Sequence, residues 1–144
     1  MTVRNFAERV LFGTSLKEKL GPPPAGITDQ NRGNALIAPE VPSRPGGLEL
    51  RQDGTRADFP GMSGIEDDHQ RGRLLHFFAN HELLATELMA LMLLKFPDAP
   101  TEFRDGILST LKEEQMHTKM YLGRMAQCGV EFGELPVNGF FWKM

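Results

Sequence analysis

The fold is decided by residues 76–117, which read HFFANHELLATELMALMLLKFPDAPTEFRDGILSTLKEEQMH. This stretch holds two long, largely apolar runs separated by the Pro-Asp-Ala-Pro segment at 97–100. Proline removes a backbone donor and clashes with the preceding helical turn, so the segment ends one helix and lets another begin near Thr101. Because the connection is short, we expect the two helices to pack antiparallel as a hairpin over roughly residues 65–127.

The outer ends of the two predicted helices also carry signals. Ser63 with Glu66 three residues later forms a capping-box pattern that predicts the start of the first helix, and no proline follows until residue 97. Gly129 follows the second apolar run and is expected to end that helix as a left-handed cap.

The chain before the hairpin divides into two further segments. Residues 1–20 open with apolar residues at helical spacing, which predicts a short amphipathic helix that Gly13 stops, and Ser15 with Glu18 predicts a brief second turn. Residues 21–64 hold seven of the ten prolines and eight of the fifteen glycines, so we expect an extended arm. Residues 65–144 complete an all-α chain as the hairpin with a C-terminal extension. The apolar positions of the short N-terminal helix are Val3, Phe6, Ala7, Val10 and Leu11.

Composition narrows the expected partners. The formal net charge is -3 with no basic run, which argues against nucleic acid and anionic membranes as partners. Cys128 is the single cysteine, so an intrachain disulfide is not expected. The longest purely apolar run, residues 88–94, is far shorter than the roughly 20 residues that cross a bilayer. With no secretory signal pattern at the N-terminus, these features favour a cytoplasmic protein without a membrane span.

Glu114 and His117 are the first candidate functional residues. Their spacing of three brings a carboxylate and an imidazole onto one face of the second helix. Ile107, Leu111 and Tyr121 share that face, so Glu114 is pressed into an apolar surface. A buried carboxylate is costly unless a metal, a cation or a proton compensates it.

The first helix offers two candidate partners for these residues, Glu82 and Glu87. With the turn centred near Asp98, Glu82 precedes it by sixteen residues and Glu114 follows it by sixteen, so both lie roughly 24 Å from the turn at about 1.5 Å per residue. Glu87 lies more than one helical turn closer to the turn near Asp98 than Glu114 does. The register therefore favours Glu82 over Glu87, which stays as the alternative.

Glu82, Glu114 and His117 together form half of a known ligand pattern. In carboxylate-bridged dimetal proteins two helices each give a Glu, and two others each give Glu-x-x-His. Carboxylate oxygens can bridge two iron or manganese ions, while imidazole caps an ion and leaves positions open for oxygen or water. The sequence therefore predicts metal ligation by these three residues, with iron or manganese as the cofactor.

A family resemblance points the same way. Residues 76–90, the Phe-Pro-Asp-Ala-Pro segment at 96–100, residues 113–117 and Leu-Pro-Val-Asn at 135–138 resemble an uncharacterised bacterial ferritin-like family, a domain of unknown function. The likeness extends to the N-terminal helix and the arm. It implies a ferritin-like four-helix bundle, of which this chain holds the first helix pair, with Glu82, Glu114 and His117 as ligands of that pair.

The resemblance also implies a missing part. Members of that family are nearly twice as long, with a second helix pair after the Leu-Pro-Val-Asn segment. We therefore expect either a fragment that lacks its C-terminal half or a homodimer that rebuilds the bundle, especially since the aromatics at 140–142 have no following element to bury them. The expected function is dimetal oxygen or redox chemistry on an unknown small-molecule substrate. The alternative is a non-catalytic iron-handling or helical interaction module.

Four further residues near the predicted ligands are given lesser roles. His76 and His81 are expected at the surface or supporting a ligand carboxylate, Glu113 in solvent, and Tyr121 in the core or lining the site.

Overall fold

The chain folds into a mostly helical structure with one very small sheet. The computed structural model describes residues 1–55, 57 and 64–142. The two strands have two residues each and pair in parallel, with Leu50 opposite Val137. This sheet corrects the expectation of a purely α-helical chain. Within the described residues the elements are α1 (Val3–Phe12), α2 (Leu16–Leu20), β1 (Leu50–Arg51), α3 (Asp68–Lys95), α4 (Thr101–Gln127), β2 (Val137–Asn138) and a 3₁₀ turn over Phe140–Trp142.

Helices α3 and α4 make the most extensive contact between elements. Helix α4 begins at Thr101, directly after Pro100, as the sequence predicts. Its end is also confirmed: Gly129 adopts φ +80° and donates its N–H to the Ala126 carbonyl, while the Val130 N–H reaches the Met125 carbonyl. These two bonds form a Schellman motif, which satisfies carbonyls that the helix end leaves free.

The start of α3 differs from the prediction. The helix begins at Asp68, and the Asp67 side chain caps it by accepting from the Gln70 N–H at 2.9 Å. Ser63, the predicted cap, lies outside the described residues. A carboxylate at the helix start is also favoured by the helix dipole, so Asp67 is a sound cap in its own right.

One core forms where α1 packs on the hairpin. The five apolar residues predicted for one side of α1 are all buried, and they join Leu94 of α3 and Leu111 of α4 in one cluster. As predicted, Gly13 ends α1, and the Ser15 side chain caps α2 by accepting from the Glu18 N–H at 3.1 Å. Helix α1 therefore packs against both helices of the hairpin, and α2 follows directly after it.

A second core forms where the described part of the arm crosses the hairpin. Leu48 and Leu50 of the arm are buried with Leu84 of α3 and Val137 of β2. Trp142 packs against both cores, and its indole N–H donates to the Pro39 carbonyl at 3.3 Å. The aromatics at 140–142 are expected from the sequence to have no following element to bury them; Trp142 is partly buried by the arm, which precedes it in the chain.

Helix α3 also bears on the expectation of no membrane span. It is long and apolar enough to cross a bilayer by length and composition alone, and half of its most apolar window is buried within the chain. The central helix of a packed core passes the same test, so this finding is weak. The expectations of a cytoplasmic location and of no membrane partner stay predictions.

Candidate metal centre

Helices α3 and α4 bring Glu82, Glu114 and His117 together. The His117 Nδ1 atom lies 3.6 Å from Glu114 Oε2 and 3.9 Å from Glu82 Oε2. One ligand atom from each residue can be chosen so that all lie within 4.8 Å of one another. The side chains of Glu82, Glu114 and His117 are 27%, 20% and 48% exposed. The two carboxylates are therefore mostly covered by the hairpin, while the imidazole is half exposed to solvent.

Glu114 carries the clearest sign that this cluster is incomplete. Its Oε2 atom is buried, and it has no hydrogen-bond partner among the described residues. The imidazole of His117 lies at 3.6 Å, too far for a hydrogen bond. A buried carboxylate oxygen without a partner costs free energy, and a bound cation or proton would remove that cost.

The set of donors suits a hard or borderline divalent ion. Two ligands on opposite sides of one ion, each about 2.1 Å away, lie about 4.2 Å apart, and paired ions are separated by about 3.5–4 Å. The three ligand atoms lie within 4.8 Å of one another, so they would close by up to about 0.6 Å to share one ion. Two carboxylates with one imidazole are ligands that iron, manganese and zinc all accept.

A groove of about 730 Å³ runs past the cluster. Glu82, His117 and Tyr121 line it together with Leu75 and Met120. The Tyr121 ring packs against Phe78 with centroids 6.0 Å apart, which keeps the phenol near the cluster. A larger cavity of about 820 Å³, which shares no lining residue with this groove, lies against β1 and β2.

Glu87, the alternative ligand, is engaged elsewhere. Its Oε2 accepts from Lys19 Nζ at 2.7 Å and from Arg44 Nε at 2.7 Å, and its Oε1 accepts from Arg44 Nη2 at 2.6 Å. All three side chains are 0% exposed. Two cations therefore compensate the Glu87 carboxylate. Glu87 is a structural anchor that links α3 to α2 and to the arm.

Burial gives the lysine of this anchor an unusual pKa. Desolvation lowers the pKa of Lys19 below its ordinary value of 10.5, and the Glu87 carboxylate opposes that shift. Arg44 also donates to the Leu48 carbonyl and to Asn80 Oδ1. Nothing in the prediction for residues 1–64 anticipated Lys19 and Arg44. No local signal distinguished Lys19, because a second lysine and a glutamate lie beside it in the same short helix.

The remaining candidates have mixed outcomes. His76 is buried, so its prediction as a surface group is wrong: its Nε2 accepts from the backbone N–H groups of Gly133 and Leu135 at 3.0 and 3.3 Å. Burial lowers the pKa of His76, which keeps the ring neutral and able to accept. His81 Nε2 is buried with no partner among the described residues, and its ring stacks edge-on against Phe141.

Comparison with known proteins identifies a family but no activity. A family model described as "Protein of unknown function (DUF455)" matches residues 4–144. No curated protein matches the chain. No solved structure matches it either.

Proposed function

Since this chain belongs to the DUF455 family of proteins of unknown function, we propose from its own geometry that it is a metal-binding protein whose ligands are Glu82, Glu114 and His117. We further propose that α3 and α4 are half of a ferritin-like four-helix bundle. In that arrangement each half would contribute one Glu and one Glu-x-x-His. The site of one chain then holds one side of a dimetal centre.

The unpartnered Oε2 of Glu114 is the observation that carries this proposal. Hydrogen bonds or cations satisfy most buried carboxylate oxygens, and Glu87 in the same structure is satisfied three times over. Glu114 Oε2 instead faces His117 and Glu82 at distances that suit shared coordination. A second carboxylate brought this close to it would repel it without a cation between them.

Iron is the metal we propose first, with manganese as the alternative. Glu82, Glu114 and His117 would hold the iron. When bound and supplied with electrons by a reductant, iron would provide the chemistry that reduces and activates dioxygen. The groove would admit a small substrate beside Tyr121, whose hydroxyl can position a polar group or a proton there.

The test is metal binding by matched variants. We expect Fe²⁺, or Mn²⁺ as a redox-stable substitute, to bind the wild type in anaerobic calorimetry, and Glu114→Gln to weaken binding by at least about 100-fold, since losing only an outer-shell partner already costs about 10–100-fold. Asp105→Asn is the control, because Asp105 is an exposed acid of α4 outside the cluster. Equal affinity of the wild type and Glu114→Gln, or no binding at all, would reject the proposed site.

A non-catalytic interaction module is the second candidate. It is favoured by the large apolar side chains that α4 exposes, with Met116 and Met120 61% and 66% accessible. Exposed apolar groups grouped on one helix are typical of a docking surface. Metal binding by the wild type separates the two, because the interaction module predicts none. Dioxygen consumption by the iron-loaded protein with a reductant then tests whether the bound metal carries redox chemistry.

A further inference from the structure

The larger cavity, of about 820 Å³, has the size of a site for a small organic molecule. Its walls come from β1 and the residues after it, from the first half of α3, and from β2 with the 3₁₀ turn. Contacts between these elements hold the walls together. Leu50 pairs with Val137 across the two strands, and Asn80 Nδ2 donates to the Asn138 carbonyl at 3.2 Å. The cavity is therefore enclosed by elements that pack on one another.

Two arginines that line this cavity, Arg51 and Arg73, differ from the other arginines of the chain. Of the ten arginines in the sequence, nine lie in the part that the structure describes. Seven of these nine donate a side-chain hydrogen bond to a described residue. Arg51 and Arg73 are the remaining two. Since a guanidinium group carries five N–H donors and a permanent positive charge, unused donors and charge are concentrated around one space.

Arg73 gives the clearer sign of a missing acceptor. Its Nε atom is buried and has no hydrogen-bond partner among the described residues. The Nε atoms of Arg9 and Arg71 are unpartnered too, but each of those side chains donates from its Nη2 atom, to Gly21 and Asp68 respectively. A buried donor without an acceptor costs free energy, and a charged acceptor beside Arg73 would remove that cost.

The charge of the cavity lining favours an anion. Both arginines line the cavity, and no Asp or Glu is among its described lining residues. Asp53 is close enough for Arg51 to lower its pKa slightly, but its carboxylate accepts from the Thr55 N–H and does not line the cavity. His76 and Asn80 also line the cavity, yet His76 Nε2 and the Asn80 amide already bond within the chain. The two guanidinium groups therefore remain for a ligand.

Apolar side chains lie beside the arginines in the same cavity. Phe140 and Phe141 pack edge-on with ring centroids 5.3 Å apart, and they are 65% and 41% exposed. Val41 and Pro136 add aliphatic surface to the lining. Covering exposed aromatic surface with the apolar body of a ligand is favourable. The cavity thus offers positive donors together with an apolar wall.

We propose that this cavity binds a small organic anion with an aromatic or aliphatic body. Its carboxylate or phosphate group would accept hydrogen bonds from Arg51 and Arg73, because paired guanidinium N–H donors suit both oxyanions. Its body would lie against Phe140 and Phe141. The cavity shares no described lining residue with the groove at Glu82, so this site goes beyond the proposed function and does not depend on a metal.

Three naphthalene probes that differ in one group test the site. 1-Naphthoate carries a carboxylate, 1-naphthyl phosphate carries a phosphate, and 1-naphthamide is neutral. Equilibrium dialysis against the metal-free wild type measures the dissociation constant of each probe. We expect at least one anion to bind at least about tenfold more tightly than the amide, as hydrogen bonds between charged groups allow. The tighter anion identifies the oxyanion that the cavity prefers.

Variants at the two walls sharpen the test. Arg73→Gln should weaken binding of that anion by at least about tenfold and change the affinity for 1-naphthamide by less than about twofold. Lys112→Gln is the matched control, since it removes one positive charge from an exposed position of α4 outside the cavity. Phe140→Ala should weaken the anion and the amide by a similar factor. Circular dichroism checks that each variant keeps its helices.

Three outcomes would overturn the anion site. The first is equal affinity of the wild type for the anions and the amide, and the second is failure of every probe to bind at about 1 mM. The third is a folded Arg73→Gln variant that binds the anion as tightly as the wild type or no more weakly than Lys112→Gln does. None of these outcomes involves Glu114 or a metal ion, so the proposed metal site stands or fails separately.

Discussion

Replacing Glu87 with glutamine removes the one anion from a fully buried group of three charges. In the wild type the Glu87 carboxylate accepts three hydrogen bonds from Lys19 and Arg44, and none of the three side chains is exposed. Glutamine has nearly the same shape, so the substitution tests charge and not packing. After it, two cations remain buried with no carboxylate between them.

The expected cost follows from these contacts. Hydrogen bonds to charged groups contribute about 1.5–3 kcal/mol each, so three of them set an upper bound of about 4.5–9 kcal/mol. The carbonyl oxygen of the introduced glutamine can still accept one of them. Removing one partner of a buried ion pair costs about 3–5 kcal/mol, and we expect a loss of unfolding free energy in that range.

Lys19 adds a signature in pH. Desolvation already lowers its pKa, and the loss of Glu87 removes the main opposing influence, so the folded-state pKa should fall further. Between the folded-state pKa and the ordinary value of 10.5 the unfolded chain binds more protons than the folded one, so stability rises with pH over that interval. Glu87→Gln extends this interval at its lower end, so its stability should begin to rise at a lower pH than that of the wild type.

Urea unfolding of the metal-free protein, followed by circular dichroism, measures both effects. Glu82→Gln is the matched control, because Glu82 is partly exposed and its one ion-pair partner among the described residues is the imidazole of His117 at 3.9 Å. It should change stability by less than about 1 kcal/mol. A loss of under about 1 kcal/mol for Glu87→Gln would refute the reasoning that this anchor holds α2 and the arm.

Three further predictions concern single positions, each measured by the same unfolding assay. Gly129→Ala should cost about 1–2 kcal/mol because φ +80° is strained for a residue with a side chain, while metal binding stays unchanged. Gly72→Ala should cost about 1–3 kcal/mol, since its Cβ would lie 2.6 Å from Val130 Cγ2, and adding Val130→Ala should recover part of that loss; no recovery would contradict the clash. Burial lowers the pKa of His76 from its ordinary 6.5, so the unfolded state takes up the proton first, and stability should fall as pH drops below about 6.5 by up to about 1.4 kcal/mol per unit, more steeply than in His76→Gln.

The sequence predicted those parts of the fold that local chemistry determines. Pro100 and Gly129 constrain the backbone at their own positions, so both ends of α4 could be placed correctly. The start of α3 was harder, because Ser63 and Asp67 each satisfy the rules for a cap within one turn. Counting from the turn also brought Glu82 level with Glu114, since the rise per residue of a helix is constant.

The anchor around Glu87 could not be predicted in the same way. Lys19 and Arg44 lie 68 and 43 residues from Glu87, and Arg44 sits in a proline-rich stretch that has no periodicity to indicate which side faces inward. Their contact with Glu87 depends on how the arm crosses α3. The same holds for His76, whose burial comes from the segment that follows α4.

Trp142 gives the chain a built-in optical reporter. It is the single tryptophan, and its indole bridges the Pro39 carbonyl and the two cores. Its emission wavelength should therefore shift when the contact between the arm and the C-terminal residues becomes exposed to water. Circular dichroism at 222 nm instead follows the helices. A red shift that occurs before the loss of helix would show that the arm dissociates while the hairpin is still folded.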